Sequence, residues 1–248
     1  MGETRVPVLG VDFDSLSMDE ARDAAMALIA EGRGAYAVTP NPEIVWLCRK
    51  NPALLSAVRG ADLVLPDGIG VVYAARILGR PLKQKVPGAD FALEVLGALA
   101  RTGGSAFLLG AKPGVAQLAA DRLGERFPGL RIAGALDGYF ADDGPVAAAV
   151  AAAKPDFLLV CLGSPKQELW MRSHAGKLNA GLMAGLGGSL DAFAGTVRRA
   201  PEKWQKLGLE WLYRLLREPR RLGRMWKLPL FLLAAVGERL FQREGRGT

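Results

Sequence analysis

The sequence predicts an α/β protein: a Rossmann-like, mostly parallel sheet with helices on both faces, followed by a helical C-terminal appendage. Three observations predict it. Short apolar runs alternate with helical stretches through the first 195 residues. Several of those runs are apolar throughout, as strands covered on both faces must be. After Gly195 no strand candidate follows, only helical periodicity. The expected division is therefore an α/β body over 1–195 and a basic helical appendage over 196–248. At 248 residues, 50% hydrophobic and 23% charged, the chain can bury a sizeable core and does not belong with disordered or disulfide-scaffold classes.

The strand candidates, in order, are 8–13 (VLGVDF), 35–40 (AYAVTP), 61–66 (ADLVLP), 105–110 (SAFLLG), 131–138 (RIAGALDG), 157–163 (FLLVCLG) and 180–188 (AGLMAGLGG). Between them, helical periodicity predicts helices near 17–31, 42–57, 69–78, 89–101, 113–127, 144–153 and 166–175. Strand, helix, strand, helix implies a mostly parallel sheet covered on both faces. Helix punctuation agrees: Asn41-Pro42-Glu43 offers an N-cap, a proline suited to the first helical position and an early acid. Pro113 in AKPGVA and Ser164-Pro165 in GSPKQE read as the same device. Each follows a strand. In open α/β sheets such loops line the ligand crevice, and helix N-termini there present N–H groups to phosphate.

The net charge of +7 is unevenly placed. From Thr196 onward there are 13 Lys and Arg against 5 Asp and Glu, a local +8, which leaves the rest of the chain near neutrality. This pattern predicts a catalytic body with a basic arm for an anionic surface, lipid or nucleic acid. Within that arm Leu207, Trp211, Leu212, Leu215 and Leu216 make an apolar helical stripe, while Arg214, Arg217, Arg221 and Arg224 have the spacing of one helical face, interrupted at Pro219. The run from Leu228 to Val236 is too short to span a bilayer, which needs about 20 residues. The N-terminus shows no secretory pattern, so a cytoplasmic location is expected. Cys48 and Cys161 sit in apolar stretches and are expected to be buried, reduced thiols.

Chemistry concentrates at strand ends. Asp67, in LPDGIG, follows a strand and precedes a helix; it fits either a base that accepts a proton from an attacking hydroxyl or the N-cap of that helix. Thr39 and Asn41 offer polar groups for phosphate or sugar hydroxyls, and Ser164 and Gln167 stand where helix N–H groups and an amide could hold a diphosphate. Gly185, Gly187 and Gly188 allow close approach, and Asp191 follows them as a candidate for sugar or ribose hydroxyls. Neither Gly185-x-Gly187 nor Gly68-x-Gly70 completes the dinucleotide fingerprint, and no P-loop occurs. Asp12-Phe13-Asp14 resembles the DxD of metal-dependent glycosyltransferases but lies on the first strand, and is read as a structural turn. His174 is the single histidine, so no His-based metal site is predicted.

The segments VTPNPE, ADLVLPDGIGVVYAAR, VPGAD, LLGAKPG, DGYF, CLGSPKQE, GLGGSLDAFAG and RRAPEKWQKLGLEWLYRLLREPRRL, in this order over nearly the whole chain, resemble the WecG/TagA/CpsF glycosyltransferase family. The resemblance implies an inverting, metal-independent and cofactor-free transferase. It would move N-acetylmannosamine or a related hexose or hexosamine from a UDP-sugar to a polyprenyl-diphosphate-linked sugar at the inner membrane face, in cell-surface polysaccharide assembly. It also implies Asp67 as general base, with Thr39 and Asn41 in the pocket, Gln167 near the donor diphosphate, Asp191 as nucleotide contact and Tyr139 bordering the nucleotide. Lys85 stands where many members carry Arg, keeping the charge without the bidentate fork. The appendage would dock on an anionic membrane and close over the site, Arg214, Arg221 and Arg224 neutralising diphosphate charge; self-association is a further implication. Two other readings stand beside this one: a nucleotide-binding oxidoreductase, and a non-enzymatic basic module for lipid or nucleic acid.

Overall fold

The computed structural model describes residues 5–197, 200–201, 203–204, 210–217 and 227–244. Six parallel strands form one sheet in the order β4-β3-β8-β7-β5-β6, where β3 is Ala35–Val38, β4 Leu63–Val64, β5 Ser105–Gly110, β6 Arg131–Leu136, β7 Phe157–Cys161 and β8 Leu182–Gly185. Every residue of β7 is buried. Its side chains alternate between two cores: Leu158 and Val160 face one, Phe157, Leu159 and Cys161 the other. That is why the run is apolar without interruption.

One face carries α1 (Met18–Glu31), α5 (Gly88–Thr102), α6 (Val115–Arg126) and α9 (Ser189–Phe193). The other carries α2 (Pro42–Cys48), α3 (Pro52–Arg59), α4 (Ile69–Ile77), α7 (Gly144–Ala153) and α8 (Lys166–His174). Helix α10 is Glu210–Arg217, and α11, Lys227–Glu244, packs on α4 and α2 through the fully buried Phe231 and Ala235. The last helix thus shares the core of the body.

The structure corrects four local expectations. The run 8–13 is not one strand of the sheet: β1 (Arg5–Val8) and β2 (Val11–Asp14) form a separate antiparallel hairpin, turned by Leu9 (φ 49°) and Gly10 (φ 89°). Asp12 and Asp14 consequently lie on a strand, not in a turn. The buried Asp14 carboxylate receives the Val64 N–H at 2.7 Å and the Arg5 Nε at 2.9 Å, tying the hairpin to β4. The stretch 42–57 divides into α2 and α3 because Asn51-Pro52 repeats the Asn41-Pro42 device: Asn51 Oδ1 caps Leu54 N as Asn41 Oδ1 caps Ile44 N. The device does not recur at the other two expected starts: Gly114 is the N-cap of α6, and at α8 Pro165 itself, after a cis peptide bond, takes the N-cap position.

Both cysteines are free and buried, and burial pushes each thiol from 9.0 up to about 12. The unfolded chain therefore loses these protons first, and stability falls as pH rises from 9.0 toward 12 while being unaffected below. At pH 8 a thiol reagent should label neither cysteine in the native protein and both in denaturant; rapid labelling of the native chain would contradict the burial.

Candidate active site

Because the sheet is parallel, all its carboxyl ends open on one edge. Strands β5 and β7 are neighbours, yet the chain leaves β5 toward β6 and leaves β7 toward β8. Helices α6 and α8, which follow them, lie on opposite faces. This is a topological switch point, where such sheets hold ligands. The backbone is specialised there. A Cβ on Gly110 would clash with the Cys161 carbonyl, and Ala111 takes φ 60°, a conformation that non-glycine residues adopt only under constraint.

The polar residues gather at the neighbouring ends of β3, β4 and β8. Thr39, buried, donates its hydroxyl to the Gly185 carbonyl at 2.9 Å and so fastens the end of β3 to the end of β8. Asn41 spends Oδ1 as the N-cap of α2. Asp67 N–H donates to the Pro40 carbonyl at 3.2 Å, and Val86 N–H to the Pro66 carbonyl at 2.8 Å. The loop carrying Lys85 thereby lies against the loop carrying Asp67. The N-cap of α4 is Gly68, with φ 93° and no side-chain cap bond. Asp67 therefore stands one residue before the N-cap position of that helix.

Gln167 stands in the first turn of α8, buried, with both ends of its amide engaged. Its Oε1 accepts the Gly187 N–H at 3.0 Å and its Nε2 donates to Glu168 Oε1 at 2.9 Å. Glu168 is itself buried, and burial raises its pKa, so that the neutral acid is favoured. Sequence reasoning did not single out Glu168. The available signal was that Glu168 and Met171 are one turn apart on the face that meets the sheet, and Met171 is apolar.

The other expected residues lie further along the edge or beyond the described chain. Ser164 ends the loop before Pro165. Asp191, in α9, accepts the Thr196 and Val197 N–H groups on its carbonyl, closing the turn after that helix. Tyr139 is 71% exposed on the loop after β6, beside Lys166, whose Nζ donates to the Gly138 carbonyl at 3.1 Å. Five strand spacings separate β4 from β6, about 24 Å. Asp67 and Tyr139 thus occupy opposite ends of the crevice. Arg221 and Arg224 lie outside the described residues, as does the side chain of Arg214. A cavity of about 160 Å³ among Leu93, Arg122, Leu123, Arg126, Ala192 and Phe193 lies on a helical face away from these loops. Among the described residues no three His, Cys, Asp or Glu side chains form a metal-binding group.

With this geometry in place, comparison with known proteins is informative. Residues 6–245 match the glycosyl transferase WecG/TagA/CpsF family. This chain belongs to that family. It is therefore a glycosyltransferase of the hexosyl-transferring kind, and the oxidoreductase and binding-module readings lose their support. A relative from Bacillus spizizenii, named N-acetylglucosaminyldiphosphoundecaprenol N-acetyl-beta-D-mannosaminyltransferase, is 36% identical over 231 residues, covering 93% of this chain and 90% of the relative. A Staphylococcus aureus (strain MW2) protein of the same name is 35% identical over 230 residues, covering 92% and 91%.

Helix α11 begins beside the site. A Cβ on Gly70 would come within 2.7 Å of both Leu228 Cδ1 and Pro42 Cγ, so only glycine lets α11 settle between the first turns of α2 and α4. At the far end of α4, Arg239 Nη1 donates to the Leu78 carbonyl at 3.1 Å, a cation at a helix C-terminus. Substituting Gly70→Val should overpack this seam and cost about 1–3 kcal/mol, read as a lower melting temperature with reduced transfer activity; an unchanged melting temperature would show that the seam is not tightly packed.

Proposed function

We propose that this enzyme transfers N-acetylmannosamine or a related hexosamine from UDP to a polyprenyl-diphosphate-linked sugar, with inversion, at the inner face of the cell membrane. The names of the relatives, each specifying an N-acetylglucosaminyldiphosphoundecaprenol acceptor and an N-acetylmannosaminyl group, support the substrates. The observation that carries the mechanism is the placement of Asp67. It is a carboxylate just after a strand end, one residue before the N-cap of α4, with the Asn41 and Lys85 loops held against its own.

In this reading the acceptor hydroxyl gives its proton to Asp67 as its oxygen forms the new bond to the anomeric carbon. The bond from that carbon to the diphosphate breaks on the opposite side, and UDP departs with the electron pair. Thr39 and Asn41 shape the pocket, while Gln167, Ser164 and the Gly187 loop border the donor diphosphate. Tyr139 and Asp191 serve the nucleotide. Lys85, Arg214, Arg221 and Arg224 supply the positive charge that a leaving diphosphate requires. Leu228 packs beside Gly70 and Pro42, so the chain enters α11 next to the Asp67 and Asn41 loops, shortly after Arg221 and Arg224 in sequence.

Membrane association is supported by α11. Leu230, Leu233, Val236, Leu240 and Phe241 are exposed at helical spacing, opposite the buried Phe231 and Ala235. No helix among the described residues is long and apolar enough to cross a membrane. Such an exposed apolar face, carried by the basic tail, suits a helix lying on an anionic surface. Self-association of the body is a further part of this reading.

Replacing Asp67 by Asn should lower transfer roughly 10²- to 10⁴-fold with UDP affinity and melting temperature retained; full activity would remove Asp67 as the base. Substituting Leu233→Asp and Phe241→Asp together should weaken co-sedimentation with vesicles containing anionic lipid while leaving the melting temperature unaltered. Undiminished co-sedimentation would exclude this face as the contact.

A further inference from the structure

Only two buried side-chain polar atoms among the described residues lack a hydrogen-bond partner: Glu168 Oε2 and Trp170 Nε1. Glu168 is the more telling, because burying a carboxyl is unfavourable and an apolar side chain of similar length would fill the space without that cost. What an apolar side chain would not provide is the acceptor at Oε1. Adjacent side chains on a helix do not ordinarily face each other. Here Gln167 and Glu168 meet because both turn inward in the first turn of α8.

The geometry gives that contact a purpose. A carboxamide has two ends of nearly equal shape but opposite hydrogen-bonding character. Gly187 presents an N–H, so only Oε1 of Gln167 can satisfy it. If the amide turned over, its NH₂ would confront that N–H, and both donors would be left without a partner. Glu168 Oε1, 2.9 Å from Gln167 Nε2, removes the ambiguity by receiving the other end. The consequence reaches the crevice. Gly187 takes φ 55°, and a Cβ built there would meet nothing within 4 Å, so this residue faces open space. Two residues earlier, a Cβ on Gly185 would lie 3.1 Å from Gln167 Nε2 and 2.7 Å from Met171 Cε, so α8 presses directly on the end of β8.

We infer that Glu168 is a positioning residue of the donor site: its carboxyl fixes the orientation of the Gln167 amide, and through it the backbone of the glycine loop at 185–188 that borders the donor diphosphate. This rests on the reading of that loop as part of the UDP-sugar site. Glu168 itself touches no substrate. Its contribution is an acceptor at a set distance, not an acid or a charge.

That distinction sets the test, made on the full chain with UDP as the calorimetric probe. Glu168→Gln keeps an acceptor at the same reach and should bind UDP within about twofold of the wild type, whereas Glu168→Asp withdraws the acceptor by one methylene and Glu168→Leu removes it; each of these should weaken UDP binding about tenfold, the loss expected of one buried hydrogen bond. Glu168 also interacts with the Ser164 side chain, so the route through Gln167 is isolated by the double variant: Q167L/E168L should bind no more weakly than Q167L alone. The inference is overturned if E168D binds like the wild type, if E168Q is as weak as E168D, or if the Q167L and E168L losses add. Should E168L fail to fold, the E168D and E168Q pair decides by itself. Failure of the wild-type protein to bind UDP at all would instead overturn the reading of the donor site.

Discussion

Strands β3 and β8 lie side by side, Ala35–Val38 against Leu182–Gly185, although 146 residues separate Thr39 from Gly185. Everything at the site depends on this pairing. The chain leaving β3 runs into the Asn41 cap, and the chain leaving β4, which pairs only with β3, delivers Asp67 against Pro40. The chain leaving β8 presents Gly187 to Gln167. A parallel register sends all three exits to one edge, and the Thr39 hydroxyl on the Gly185 carbonyl fixes where they part. Without that seam the loop of Asp67 and the loop of Gly187 would have no common frame.

Much of this was legible in the sequence because burial on two faces writes itself directly. FLLVC and SAFLLG are apolar at every position but the terminal Ser and Gly, and each became a central strand within two residues of the expected bounds. Strand-end placement of Thr39, Asn41, Asp67 and Gln167 was legible for the same reason. The Asn41 cap was legible too, but the use of the Thr39 and Gln167 polar atoms escaped. Thr39 and Gln167 spend their groups on Gly185 and Gly187, partners that only the fold brings near, and no local spacing announces such bonds. The hairpin of β1 and β2 was hidden because its turn places Leu9, a bulky apolar residue, at positive φ, which the run VLGVDF does not advertise.

The terminal helix combines two requirements that the sequence shows only as a mixture of leucines and arginines. Phe231 and Ala235 bury themselves on α4 and α2, whereas Leu233, Leu240 and Phe241 remain outside. An 18-residue helix with one face in the core needs no second apolar face for its own stability. The outer apolar residues therefore ask for a separate explanation, which the proposed contact with a lipid surface would provide. Docking through α11 would bring α4 close to that surface. Asp67, immediately before α4, would then meet an acceptor hydroxyl arriving from the membrane side.

Two carboxyls near one edge of the sheet have been given opposite surroundings. Glu168 is enclosed, and burial raises its pKa, while its Oε1 receives the Gln167 amide. Asp67 stands one residue before the N-cap of α4, where the helix dipole favours negative charge. A base must be ionised before it can receive a proton, and a positioning group next to an anionic donor works best uncharged. The separation follows from the backbone alone: one carboxyl turns inward from the first turn of α8, and the other stays on a loop.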